Sequence, residues 1–239
     1  MTTSVNGHGN VTLRKVAESA AAQSLERIRQ HPFIVGANAQ ALTKDQALRW
    51  IKCAGRESRS FPKIIEKMLD RASNERVKQI LTENLDDEYG NGNPEHAHFN
   101  HYLHLLDKLD VPRDHFYNYE ERAGINLALS LAYNIASQTQ EAVAIGYMLV
   151  NEGMTQITYS AVQNGLHRYF PDLQTKFFEL HVEVDAHHVE ALYEAVEELK
   201  SDNQANLLFG IEVGERGMAV LLDEALGLFD FFTEPVTMA

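Results

Sequence analysis

The stretch FFELHVEVDAHHVEALYEAVEELK, residues 177–200, decides how the whole chain reads. An α-helix advances by about 100° per residue, so with His181 set at zero, Asp185 falls at about 40° and His188 at about −20°. Leu192 and Leu199 follow on the same stripe, at about 20° and 0°, whereas His187 stands about 120° away. The motif HxxxDxxH therefore shares a helix face with the aliphatic residues that must meet the core. A buried charge is costly unless it is paired or bound to metal. In isolation the triplet also reads as two core histidines hydrogen-bonded to one aspartate.

Other segments break their apolar stripes in the same way. Val77, Leu81 and Leu85 lead to Glu88 in NERVKQILTENLDDEYG, residues 74–90. Past the GNGNP break, His98 lines up with His101, Tyr102, Leu105 and Leu109. In EAVAIGYMLVNEGMTQITYS, Glu152 shares a face with Ile145, Leu149 and Tyr159. Four helical segments thus supply Glu88, His98, Glu152 and the His181–Asp185–His188 triplet. Three carboxylates and three imidazoles suit two iron ions, or manganese in place of one of them, in a helical bundle. Zinc fits less well, since HExxH and a cysteine cluster are both absent.

Helical periodicity runs through the rest of the chain between clear breakers. Residues 11–30 form one segment, ending before His31-Pro32. Another starts at Thr43, a good N-cap. Pro62 is expected to interrupt it, with PKIIEKMLDRA resuming behind a first-turn proline. Segments 94–110, 120–137 and 141–166 follow, then a long one over 171–200 and an apolar one from about Gln204 to Phe231. The expected fold is all-α, a single domain of about seven to nine helices over residues 11–233. Residues 1–10 read as a flexible lead-in and 234–239 as a tail.

Bulk properties narrow the class. Of 239 residues, 44% are hydrophobic and 23% charged, as in ordinary globular proteins. The net charge of −13, from 21 basic and 34 acidic residues, argues against nucleic acid or an anionic membrane as partner. One cysteine, Cys53, excludes an intrachain disulfide and suits a reducing, cytoplasmic compartment. No secretory h-region and no stretch long enough for a membrane span is present.

The order Glu88, GNGNPEHAH ending at His98, Glu152, and His181-x3-Asp185-x2-His188 resembles the haem-oxygenase-like diiron oxidases and oxygenases. These are the metal-binding branch of the TenA/PqqC superfamily, which includes the Chlamydia protein associating with death domains. HPFIVGANAQALTKDQALRWIKCAGRESRSFP, residues 31–62, is similar to the opening of that superfamily. The resemblance spans roughly residues 25–230 and is strongest in HxxxDxxH, 29 residues after Glu152. Some relatives use a Glu-x-x-His arrangement, which Glu95 and His98 also form; Glu88 is preferred because it ends a clean apolar stripe.

The resemblance implies a haem-oxygenase-like helical bundle and a non-haem diiron oxidoreductase using O2 as co-substrate. Glu152 would bridge the two irons. The substrate would be a small organic molecule resembling an amino acid, an amine or a fatty acid. Tyr159, on the face of Glu152, is a candidate redox-active residue as well as an ordinary core tyrosine. His101 and His104 read as outer residues, His96 and His187 as pointing away, and Trp50 and Phe61 as core. Arg122 and Arg168 are the candidate anchors for a substrate carboxylate, and a homodimer is the expected assembly. TenA-type thiaminases need a nucleophilic cysteine in the central helices, where Cys53 does not lie. The alternatives are a cofactorless PqqC/TenA-like small-molecule-binding protein and a protein-interaction module.

Overall fold

The structure, a computed structural model, describes residues 12–138, 140–183 and 185–229, with the side chains of 182–186 outside that description. The flexible lead-in and the tail expected at the two ends therefore lie outside the described residues. Eleven α-helices and two short 3-10 helices, with no strand, make up the regular structure among the described residues. They are α1 (Leu13–Arg29), α2 (Pro32–Asn38), α3 (Lys44–Arg71), α4 (Glu75–Glu88), α5 (His98–Lys108) and α6 (Arg113–Tyr117). After these come α7 (Ala123–Ala136), α8 (Glu141–His167), α9 (Lys176–Glu183), α10 (Asp185–Glu197) and α11 (Gln204–Leu226).

The count exceeds the expected seven to nine because prolines seed extra short helices. Pro32 opens α2 and Pro112 precedes α6, where a fixed φ and an absent N–H cost nothing in a first turn. The long segment 171–200 is also described as two helices. Pro62 corrects the expectation in the other direction, since α3 runs straight through it. The lost backbone hydrogen bond costs about 3 kcal/mol in a helix interior. Burial of Phe61, Ile64, Ile65 and Met68 around it holds both halves of α3 in one line. Thr43 caps α3 in a full capping box with Gln46, as its position before the apolar run implied.

Helix α8 occupies the middle of the bundle. Its buried residues lie all round the helix, from Ala142 to Leu166, as befits a helix covered on every side. It packs on α11, α10, α2, α1 and α9. The crossing with α11 is close enough to bring backbones together: a Cβ on Gly146 would stand 2.2 Å from the Leu207 carbonyl oxygen. Reciprocally, a Cβ on Gly210 would stand 2.1 Å from that of Val143. Charge also joins the helices. Arg27 of α1 donates from Nε and Nη2 to the two oxygens of Glu215 on α11, at 2.7 and 2.6 Å. Among the described residues no helix is long and apolar enough to cross a membrane.

Two outcomes are expected. Gly146→Ala and Gly210→Ala should each lower the urea midpoint. Alanine gains about 1 kcal/mol in helix propensity, but overpacking a filled contact costs about 1–3 kcal/mol. A raised midpoint in either would show that the helices can part freely. The second outcome concerns acid. Burial alone would raise the Glu215 pKa, but the hydrogen bonds from Arg27 and Ser24 outweigh it and hold it below the ordinary value. A depressed carboxylate stabilises the fold above its unfolded pKa of about 4.3 and loses that contribution as pH falls through the folded value. Glu215→Gln should therefore destabilise the protein at pH 7, and its deficit should shrink below about pH 4.3. A deficit constant with pH in paired melts would refute the linkage.

Candidate metal centre

The path from Glu88 to His98 is a tight reversal. Helix α4 ends at Glu88, and the chain turns through Gly90, Asn91 and Gly92, all with positive φ (82°, 52° and 83°). A Cβ on Gly90 would meet the Asn93 carbonyl oxygen at 2.3 Å and the Ala97 nitrogen at 2.6 Å. Glycine is thus required there on two counts. A single 3-10 turn, Pro94–His96, then starts α5 at His98. The reversal lays His98 Nδ1 2.9 Å from Glu88 Oε1, both side chains being buried. Glu95, by contrast, is exposed.

Helix α8 brings Glu152 to the same place from the middle of the bundle. Its Oε1 accepts from Asn84 Nδ2 of α4 at 2.7 Å, and its Oε2 lies 3.6 Å from His188 Nδ1 of α10. The other nitrogen of His188, Nε2, is 3.0 Å from Asp87 Oδ2. His181 on α9 donates from Nδ1 to the Phe177 carbonyl at 2.6 Å. A carbonyl can only accept, so Nδ1 carries the proton and Nε2 the lone pair. Burial first, then the nearby His98, push the His181 pKa down to about 3, so its ring is neutral. Tyr159 stacks on that ring with centroids 4.6 Å apart, and the rings of His98 and His181 are 4.9 Å apart.

Glu88, His98, Glu152, His181 and His188 thus come together from five helices, α4, α5, α8, α9 and α10. Asp185 opens α10, and its side chain lies outside the described residues. His188 is buried and His187 exposed, as the helical phase implies. His96 and His104 are exposed and His101 half-buried. The expected carboxylate anchors are a correction: neither Arg122 nor Arg168 lines this cavity. Arg122 faces Glu120 and Arg168 donates to the Gln40 carbonyl. Chain connectivity decides this, since Arg122 sits at the start of α7 and Arg168 at the end of α8.

A cavity lies against Glu88, Glu152 and His181, lined also by Glu57, Phe61 and Tyr159 among others, with no Lys or Arg in its lining. Trp50 stays in the core, edge-on to Tyr159 at 5.3 Å, whereas Phe61 is both core and wall. Glu57 escaped the sequence reading. Burial raises its pKa to about 7, with the charge of Glu152 adding and a hydrogen bond from Asn151 opposing. The signal was present: with Trp50 at zero, Ala54 lies at about 40°, Glu57 at about −20° and Phe61 at about 20°. Asp87 and Asn84 escaped too, because their roles depend on which helix faces α4.

Cys53 is buried near Glu224 and Tyr119. Burial first, then the Glu224 charge, push its thiol pKa far up, which disfavours a thiolate nucleophile. Among the described residues no three His, Cys, Asp or Glu side chains close into a ready-made metal cage. The donors approach as pairs instead. The 3.6 Å between Glu152 Oε2 and His188 Nδ1 suits two ligands of one divalent cation, given bonds of about 2.1 Å. With the lone pair of His181 and three glutamates unmatched by any Lys or Arg in the lining, the donor set fits iron.

The sequence pattern of the family described as iron-containing redox enzyme matches residues 57–215, and the chain belongs to that family. The 4-chloro-allylglycine synthase of Streptantibioticus cattleyicolor is 22% identical over 169 residues, a match covering 70% of this chain and 64% of that protein. The chain therefore spans less than two thirds of that relative's length. Among solved structures, a domain of unknown function with a heme oxygenase-like fold from Shewanella denitrificans superposes with a TM-score of 0.75 at 16% identity, over 96% of this chain and 98% of that one. A CADD-like protein of unknown function from Nostoc punctiforme gives 0.74 at 16%, over 89% and 98%. A TenA homologue from P. horikoshii gives 0.71 at 14%, over 91% and 99%. At such identities the likeness is one of fold: a haem-oxygenase-like all-α bundle.

Asn84→Ala should cost about 1–3 kcal/mol, because it strips a buried carboxylate oxygen of its donor. Urea melts at neutral pH measure this, and an unchanged midpoint would show that Glu152 does not depend on Asn84.

Proposed function

We propose that the protein is a non-haem oxidoreductase that uses two irons and O2 to oxidise a small organic substrate, an amino acid or an amine. What carries this reading is the gathering of half-buried Glu57 with buried Glu88 and Glu152 around one cavity that no Lys or Arg lines. Buried carboxylates of this kind call for cations or protons. Membership of an iron-containing redox family supports iron as the metal. The distant relative makes an amino acid, which favours that substrate class over a fatty acid.

Glu88 with His98, and Glu152 with His188, would be two carboxylate–imidazole pairs, joined by the Nε2 of His181 and by Asp185. Glu152 would hold metal from mid-helix, between the other donors. Iron held by these residues would supply electrons for the reduction of O2. The chain does the rest. Asn84 aims Glu152, and the Phe177 carbonyl aims His181. Phe61, Met154 and Met218 make the cavity wall apolar and limit the entry of water. Glu57, fastened by Asn151 at Oε1, can carry a proton on Oε2 near neutral pH and offer it to the cavity. Tyr159, flat on His181, is placed to hand over a hydrogen atom or simply to fix the imidazole.

The neighbouring histidines provide the test. Purified protein loaded with Fe(II) under argon should hold two irons per chain and consume O2 on exposure. His188→Ala should lose the iron and the O2 uptake. His187→Ala should keep both, since an exposed substitution usually changes stability by less than about 0.5 kcal/mol. If the loaded wild type holds no iron, the metal reading falls, and a TenA-like small-molecule-binding protein takes its place. If His187→Ala loses iron while His188→Ala keeps it, the ligand assignment fails.

A further inference from the structure

Asp87 is not needed to explain the donor set above, yet it touches it. It precedes Glu88 by one residue, and one residue is about 100° on a helix. The end of α4 therefore offers one carboxylate inward, to His98, and a second sideways, to α10. Both oxygens of Asp87 are in use. Oδ2 accepts from His188 Nε2 at 3.0 Å, and Oδ1 accepts from Asn91 Nδ2 at 2.6 Å. Asn91 is itself pinned in the loop that the two glycines make possible. Its backbone N–H donates to the Asp86 carbonyl at 2.7 Å, and that of Gly90 to the Asp87 carbonyl at 2.9 Å. Its φ of 52° is one that asparagine tolerates.

The consequence falls on the imidazole. A carboxylate only accepts, so the proton of a neutral His188 belongs on Nε2, facing Asp87. Nδ1, which then carries the ring's lone pair, lies 3.6 Å from Glu152 Oε2, beyond hydrogen-bonding range. His181 has the opposite arrangement, with Nδ1 protonated by its bond to Phe177. Two histidines of one cluster thus keep their lone pairs on different nitrogens, and each is set by a different outer partner.

We propose that Asp87 is a positioning residue, anchored by Asn91 of the Gly90–Asn93 loop, which holds His188 in its Nε2-protonated form and presents Nδ1 as the donor. This rests on the proposed metal centre, and it assigns the GNGNP loop a task beyond turning the chain. Outer carboxylates of this kind typically change metal affinity by about 10–100-fold.

The test uses the full chain. In chelator-treated protein labelled with 15N-histidine, long-range proton–nitrogen spectra at pH 8 report the tautomer of each ring, and His188→Ala identifies the signals. The wild type should show His188 protonated at Nε2. Asp87→Ala should scramble that tautomer and weaken Co(II) binding, followed by absorbance under argon, by about 10–100-fold. Asp87→Asn, whose amide oxygen still accepts, should restore the tautomer. Asn91→Ala should give an intermediate loss, and Asp86→Ala, at an exposed neighbour, none. Should Asp87→Ala fail to fold by circular dichroism, Asp87→Asn and Asn91→Ala carry the comparison. Asp87→Ala keeping both tautomer and cobalt affinity would overturn the proposal. A wild type that takes up no cobalt would sink the metal centre instead, while the tautomer spectra would still decide whether Asp87 sets the ring.

Discussion

Carboxylates packed into a helical core shape the middle of this protein. Moving one from water to such a place costs several kcal/mol unless a charge or hydrogen bonds meet it. Glu57, Glu88 and Glu152 share one cavity, and each is met differently. Asn151 donates to Glu57, His98 faces Glu88, and Asn84 donates to Glu152. None of these partners is a lysine or arginine. This distinguishes the cluster from buried Glu215, which Arg27 neutralises.

The surrounding architecture keeps those groups apart from water and close to one another. Helix α8 is covered on all sides, so a residue at its midpoint cannot escape to solvent by a rotamer change. The contact of Gly146 with α11 and of Gly210 with α8 draws the two long helices together. The reversal at Gly90 does the same for Glu88 and His98, which are ten residues apart in sequence. A similar bundle serves TenA homologues. The cavity here is lined by Glu57, Glu88, Glu152 and His181, and the buried Cys53 lies outside that lining.

Much of this was legible in the chain. Helical class, the boundaries at His31-Pro32 and GNGNP, the capping box at Thr43 and the inward phase of Glu88, His98, Glu152, His181 and His188 all follow from local rules. Propensity, capping and a 3.6-residue period are properties of neighbours in sequence. The same period separates buried His188 from exposed His187. It also places Glu57 on the stripe of Trp50 and Phe61.

Other features belonged to the tertiary structure alone. Pro62 sits inside an unbroken helix because packing on both sides outweighs one missing hydrogen bond. Arg122 and Arg168 stand away from the cavity because the ends of α7 and α8 do. Asp87 meets His188 across 101 residues, and Asn84 meets Glu152 across 68. By itself the sequence determined which face of each helix turns inward, because that depends on residues within a few turns. Which inward faces oppose one another, and at what height, was decided only when the helices packed together, because side chains remote in sequence acquire a distance only through the whole fold.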